Sequence, residues 1–168
     1  MGTQSDSLKS NDMKFIYIFL LGLIAISAGA CSRSEGVDQV NTDVDGLAVR
    51  GYDAVAFFAD EAAVHGNPIF EYTWNGARWL FATAENLEKF KADPAAFAPQ
   101  FGGYCSYAVS HGYTADGDPQ TRKIVDGRLY LNYNQEAKAA WEKNQDNFIK
   151  DGEKNWKDFQ TKKPQHKG

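Results

Sequence analysis

Cys105 and His111 stand six residues apart in Phe101-Gly102-Gly103-Tyr104-Cys105-Ser106-Tyr107-Ala108-Val109-Ser110-His111-Gly112. Thiolate and imidazole are soft-metal ligands, and a thiolate is also a nucleophile that can cycle through sulfenic acid. Gly102 and Gly103 let the backbone turn through positive φ or pass close to a bound group. Tyr104 and Tyr107 place phenols beside the thiol, where they could hydrogen-bond such a group. If the stretch is helical, Cys105 lies in its first turn, where the dipole favours thiolate. Six helical residues put Cys105 and His111 on different faces, so pairing them needs the helix to stop at Gly112. His65 offers a second imidazole; His166 lies in the terminal tail. For both His65 and His111 the plainer reading is a solvated surface side chain.

Three uses of Cys105 stay open. It can bind a soft metal ion, copper first, with His111 and His65 completing an exchange-competent site. It can be the catalytic residue of a thiol redox protein, in which case an external thiol must finish the cycle because no resolving cysteine follows it. Or it is a small buried hydrophobe in an interaction module. Met1 and Met13 both precede the expected mature domain, which excludes a methionine-based Cu(I) carrier. Asp116-Gly117-Asp118-Pro119 lacks the acidic spacing and terminal Glu of a calcium loop and reads as a turn. P-loop, dinucleotide, serine-hydrolase and zinc-protease motifs do not occur.

The chain that must position these groups has 168 residues, 43% hydrophobic and 14% aromatic, enough for one domain with an aromatic core. A net charge of −4 gives no basic footprint for nucleic acid. Two cysteines are too few for a disulfide framework. Met13-Lys14, the apolar run from Phe15 to Ile26 and the small residues Ser27-Ala28-Gly29-Ala30 make a secretory signal, with translation starting at Met1 or Met13. The run is too short to favour a spanning helix. Ser27 to Cys31 resembles a bacterial lipobox, with Ala28 where Leu is usual. The resemblance implies a lipid on Cys31 as the mature N-terminus, and Ser32 after it implies the outer membrane. A plain signal peptide cut near Ala30 and an uncleaved anchor are the alternatives. The expected organisation is signal 1–31, flexible tether 32–46, domain 47–160 and frayed tail 161–168.

Within the domain, Gly51 to Phe58 is an apolar run that periodicity assigns to neither strand nor helix. Residues 62–68 and 113–122 read as loops. Asn75-Gly76 and Asp126-Gly127, between apolar runs, predict two type I′ hairpins. Thr83 and Asn134 are helix caps for 84–92 and 135–143, and Asp93-Pro94 opens a short helix through Phe97. A shift of 51 superposes Asn75 on Asp126, Trp79 on Tyr130, Leu80 on Leu131, Thr83 on Asn134 and Phe90 on Trp141. The expected fold is α+β, a single domain of two β-hairpin-helix units forming a small antiparallel sheet on one shared core, with a cleft where the Cys105 stretch joins the units.

Phe90-Lys91-Ala92-Asp93-Pro94-Ala95-Ala96-Phe97 after such a hairpin resembles the YHS domain, a small metal-associated module of the TRASH-like group. Gly51-Tyr52-Asp53, Gly102-Gly103-Tyr104-Cys105, Lys123-Ile124-Val125-Asp126-Gly127 and Leu129-Tyr130-Leu131-Asn132-Tyr133-Asn134 resemble its stand-alone secreted members, some of which carry selenocysteine. The similarity spans about residues 48–158. It implies a periplasm-facing protein whose partners are the membrane, through the anchor, and a metal or thiol. The cysteines of metal-binding YHS modules are absent here: that place reads Phe81-Ala82-Thr83-Ala84-Glu85-Asn86. Only Cys105 matches the secreted subgroup's own pattern.

Overall fold

The computed structural model describes residues 38–59 and 63–161. The signal segment, Cys31 and His166 lie outside the described residues. The fold is α+β. Strands β1 (Asn67–Trp74) and β2 (Ala77–Phe81) form an antiparallel hairpin. Asn75 and Gly76 take φ of 48° and 75° at its tip, as a type I′ turn requires. Helix α1 (Ala84–Ala92) starts where Thr83 Oγ1 accepts the Asn86 N–H at 3.1 Å. Helix α2 (Pro94–Phe97) is capped by Asp93, with Pro94 in the first turn. A 3-10 turn (Gln100–Gly103) and the short helix α3 (Ser106–Ser110) lead to the second hairpin. That hairpin pairs β3 (Asp118–Val125) with β4 (Arg128–Asn132), and Asp126 and Gly127 turn through φ of 49° and 72°. Asn134 Oδ1 accepts the Ala137 N–H at 2.8 Å to open α4 (Gln135–Glu142), and α5 (Gln145–Thr161) follows.

The shift of 51 holds in three dimensions. Asn67 pairs with Phe81 and Asp118 with Asn132, and each hairpin slips register next, between Asn67 and Glu71 and between Asp118 and Lys123. Phe90 and Trp141, the aromatic residues seven positions past the caps, are both fully buried.

Four expectations change. The strands do not join into one sheet; each hairpin is its own two-stranded sheet. The core is not single either. One cluster gathers Val49, Phe57, Trp79, Phe81 and Phe90, and another gathers Phe101, Val109, Tyr130, Trp141 and Ile149. Strand β4 divides them, because alternate residues face opposite ways: Leu129 and Leu131 belong to the first cluster and Tyr130 to the second. The packed region begins before Leu47, so the described part of the proposed tether is not a tether. Val40 is buried in the first cluster, Asn41 N–H donates to Gly102 O at 2.8 Å, and Asp43 Oδ1 accepts the Leu47 N–H at 2.9 Å. Finally, both expected loops are shorter than their sequence suggests, since β1 starts at Asn67 and β3 at Asp118. Thr121 bridges the irregular part of β3, where its hydroxyl accepts the Asn132 N–H and donates to the Asn132 carbonyl, each at 2.7 Å.

Candidate functional site

Cys105 lies at the entrance to α3, held from three sides. Its N–H donates to Ala115 O at 2.8 Å, it bridges Leu131 of β4 in parallel, and its carbonyl accepts the Val109 N–H at 2.9 Å. The residue is 1% exposed. Its thiol points toward Asn132 Oδ1, 3.9 Å away, and that same oxygen accepts the Tyr107 N–H at 3.1 Å. Burial pushes the thiol pKa up, and the backbone N–H groups of Ala108, Tyr133 and Tyr107 only partly oppose it. The expected activation at a helix start is therefore reversed, and the resting sulfur is a protonated thiol. Its position precedes a helix of only five residues, too short to sum much dipole.

The first hairpin-helix unit contains the same construction around Asp53. Asp53 N–H donates to Val64 O at 2.8 Å, as Cys105 N–H does to Ala115 O. Its carboxylate accepts the N–H groups of Val55 at 2.8 Å, Ala56 at 3.1 Å and Ala82 at 2.7 Å, and the Asn86 amide at 2.7 Å. Val55, Ala56 and Ala82 correspond in the second unit to Tyr107, Ala108 and Tyr133, the three N–H groups that act on the Cys105 sulfur. The donors that hold a carboxylate in one unit thus surround a thiol in the other, where Tyr107 N–H goes to Asn132 Oδ1 instead. The sequence carried a signal for this: Gly51-Tyr52-Asp53 matches Gly103-Tyr104-Cys105 at a shift of 52, one residue out of step with the hairpins.

The two predicted histidines pack against aromatic rings. Exposed His111 stacks on Tyr107 and Phe148, with ring centroids 4.3 and 5.3 Å apart, and its Nδ1 is 2.7 Å from Tyr107 O. Exposed His65 stacks on Tyr52 of the first unit at 3.9 Å. Among the described residues no three His, Cys, Asp or Glu side chains gather as a metal site. Tyr104 has its phenol pKa pushed up to about 12, by burial first and then by the charges of Asp38 and Asp116. Gly102, at φ 62°, leaves no room for a Cβ against the Gln39 carbonyl, and Gly103 continues the left-handed turn at φ 84°.

A cleft does open beside the front of this stretch rather than at its thiol, between the first hairpin-helix unit and α5. It encloses about 530 Å³. Trp74 and Trp79 of the first unit, Phe101 and Gly102 of the connecting turn, and Trp156 of α5 form its walls. Cys105 does not line it. Glu153, Trp156, Lys157 and Gln160 reach it from one face of α5, at spacings of three and four residues. Sequence reasoning missed this group because these residues are an ordinary amphipathic helix pattern until the first hairpin is seen opposite them. Within the described residues, no helix is long and apolar enough to cross a membrane. The chain matches no protein-family model, no curated protein and no solved structure.

Proposed function

We propose that this chain is a non-catalytic binding module of the secreted YHS type, attached to the periplasmic side of the outer membrane through a lipid on Cys31, which holds a small molecule between its first hairpin-helix unit and α5. The cleft carries this reading. Its volume of about 530 Å³ falls in the range of roughly 300–1,000 Å³ that small-molecule sites occupy. It has aromatic walls with polar groups among them, such as Asn75, Lys157 and Gln160, a composition that suits such sites. The lipobox-like end at Cys31 and the motifs shared with secreted YHS proteins support the anchor and the compartment.

Cys105 is the structural counterpart of Asp53 in this reading. Its burial, its raised pKa and the packing of both histidines against tyrosines support a structural role for this sulfur over copper binding or thiol redox catalysis.

The test is capture of small molecules from a bacterial envelope extract by the purified full chain, followed by release and mass spectrometry. Ala95→Trp is the control, because Ala95 is exposed on the cleft wall and a Trp there fills the space without disturbing the core. A compound retained by the wild-type chain and lost with Ala95→Trp supports the function; equal retention by both, or by neither, refutes it. Labelling with a palmitate analogue that disappears in Cys31→Ser checks the anchor separately.

A further inference from the structure

We infer that the cleft selects a planar aromatic or apolar ligand carrying a carboxylate; this rests on the binding reading above and names its ligand class. Trp74 and Trp156 face the space from opposite walls, the first hairpin and α5, and both are only partly buried. Trp74 is fixed from behind, packing edge-on against Trp79 and Phe90 with centroids 5.8 Å away in each case. Trp156 is held by Phe101 at 6.3 Å and Tyr104 at 5.9 Å. Two indoles immobilised in this way present flat apolar surface with little entropy left to lose, which suits a ring or a planar conjugated chain.

The polar side of the cleft is unbalanced in one direction. Its only acid among the described residues, Glu153, is already paired with Arg128 at 2.8 Å. Lys157 has no ion-pair partner among the described residues. The Gln160 side-chain nitrogen is buried and has no acceptor. A buried donor without an acceptor is unfavourable, and native proteins rarely leave one unless a ligand or water completes it. Lys157 and Gln160 are three residues apart on α5, so once the Gln160 amide, closed to solvent as it stands, turns toward the cleft, one anionic group can meet an ammonium and an amide donor together. A cationic ligand finds no unpaired acid here and is repelled by Lys157. The unmet needs on the α5 wall are one acceptor and one negative charge, and a carboxylate supplies both.

Isothermal titration of the purified full chain with three probes of one shape tests this: indole-3-acetate, the neutral indole-3-methanol and the cationic tryptamine. Indole-3-acetate is expected to bind about tenfold tighter than either of the others, because only it makes the charge-assisted contacts. Lys157→Ala, at an exposed position that leaves the fold alone, is expected to erase that preference while leaving indole-3-methanol unchanged. Gln160→Leu should weaken indole-3-acetate alone. Equal or tighter binding of tryptamine, or a carboxylate preference that survives Lys157→Ala, overturns the ligand class and leaves the binding module standing. No heat from any probe also overturns it, and the extract experiment then decides the module on its own.

Discussion

Asp53 and Cys105 occupy one position in two copies of the same backbone. Each follows a tyrosine whose N–H donates at 3.1 Å to the residue three before it, Tyr52 to Val49 O and Tyr104 to Phe101 O. Each then donates its own N–H at 2.8 Å to a carbonyl just ahead of the next strand. The Asp53 carboxylate accepts three backbone N–H groups, and the Cys105 thiol faces the counterparts of those groups. In the first unit the backbone asks this position for an acceptor; in the second, Asn132 Oδ1 takes the Tyr107 N–H and relieves part of that demand. A carboxylate meets the demand strongly and a sulfur weakly, which separates the structural need from any chemistry special to a thiol.

Unequal costs should follow when the two are truncated. Asp53→Ala leaves three N–H groups and the Asn86 amide without their acceptor in a fully buried site, and is expected to lose roughly 3–5 kcal/mol of stability. Cys105→Ala removes a poor acceptor and a small volume, and should lose about 1–2 kcal/mol. Denaturant unfolding of both variants measures the difference. Equal losses would mean that the sulfur is bound far more strongly than its neighbours indicate.

The thiol should also be slow to react. With Cys105 1% exposed and its pKa raised, alkylation by iodoacetamide at neutral pH is expected to run at least about 100-fold slower than for a free thiol, and to recover in denaturant. Copper(I) uptake measured against a competing chelator should not change in Cys105→Ser. Rapid native-state alkylation or copper uptake that depends on Cys105 would return the metal and redox readings to contention.

Local chemistry made the hairpins and helices legible in the sequence. Asn75-Gly76, Asp126-Gly127, Thr83, Asn134 and Asp93-Pro94 each state a backbone preference that needs no tertiary context, and all five appear as read. The partition of the core was not legible, because alternation along Leu129-Tyr130-Leu131 shows only that the two faces differ, not that both are buried. The fate of Cys105 was hidden for a related reason. Reactivity depends on what covers the sulfur, and Asn132, Tyr107 and Tyr133 reach it from 27, two and 28 residues away in the chain. The cleft was expected where the Cys105 stretch joins the two units; it touches only the front of that stretch and opens against α5 instead, whose residues there carry no motif at all.

High pH should unfold the protein in a defined window. Tyr104 is pushed up to about 12, and burial raises the pKa of Cys105, Tyr113 and Tyr130 as well. All four groups are neutral when protonated, so the folded state holds their protons more tightly than the unfolded chain does. Below the unfolded thiol and phenol values, about 8.5 and 10, the difference has no effect. As pH rises through them the unfolded chain releases protons first and stability falls, levelling off once the folded values are passed. Chemical-denaturation midpoints should drop between about pH 9 and 12, and Tyr104→Phe should flatten the upper part of that fall. A midpoint that is level across the range would contradict the burial of these groups.

Gly66 and Gly117 offer a test of the repeat that does not involve the thiol at all. They occupy equivalent places 51 residues apart, each where the chain crosses its own hairpin just before the first strand. A Cβ on Gly66 would run into the backbone and Cβ of Leu80, and one on Gly117 into the Gly103 carbonyl and the Leu131 side chain. Backbone cannot rotate away as a side chain can, so relief requires moving the strand. Neither glycine has positive φ, so the penalty for alanine is steric rather than conformational. Gly66→Ala and Gly117→Ala are each expected to lose about 3 kcal/mol or more. Gly112 gives the contrast: a Cβ there meets nothing, but its φ is 82°, so Gly112→Ala should lose only about 1 kcal/mol through backbone strain. Thermal or denaturant unfolding of the three variants reads the comparison directly. If Gly66→Ala and Gly117→Ala fall together below Gly112→Ala, the two crossings are as tight and as alike as their geometry requires; if either matches Gly112→Ala, that crossing has slack and the correspondence between the units ends there.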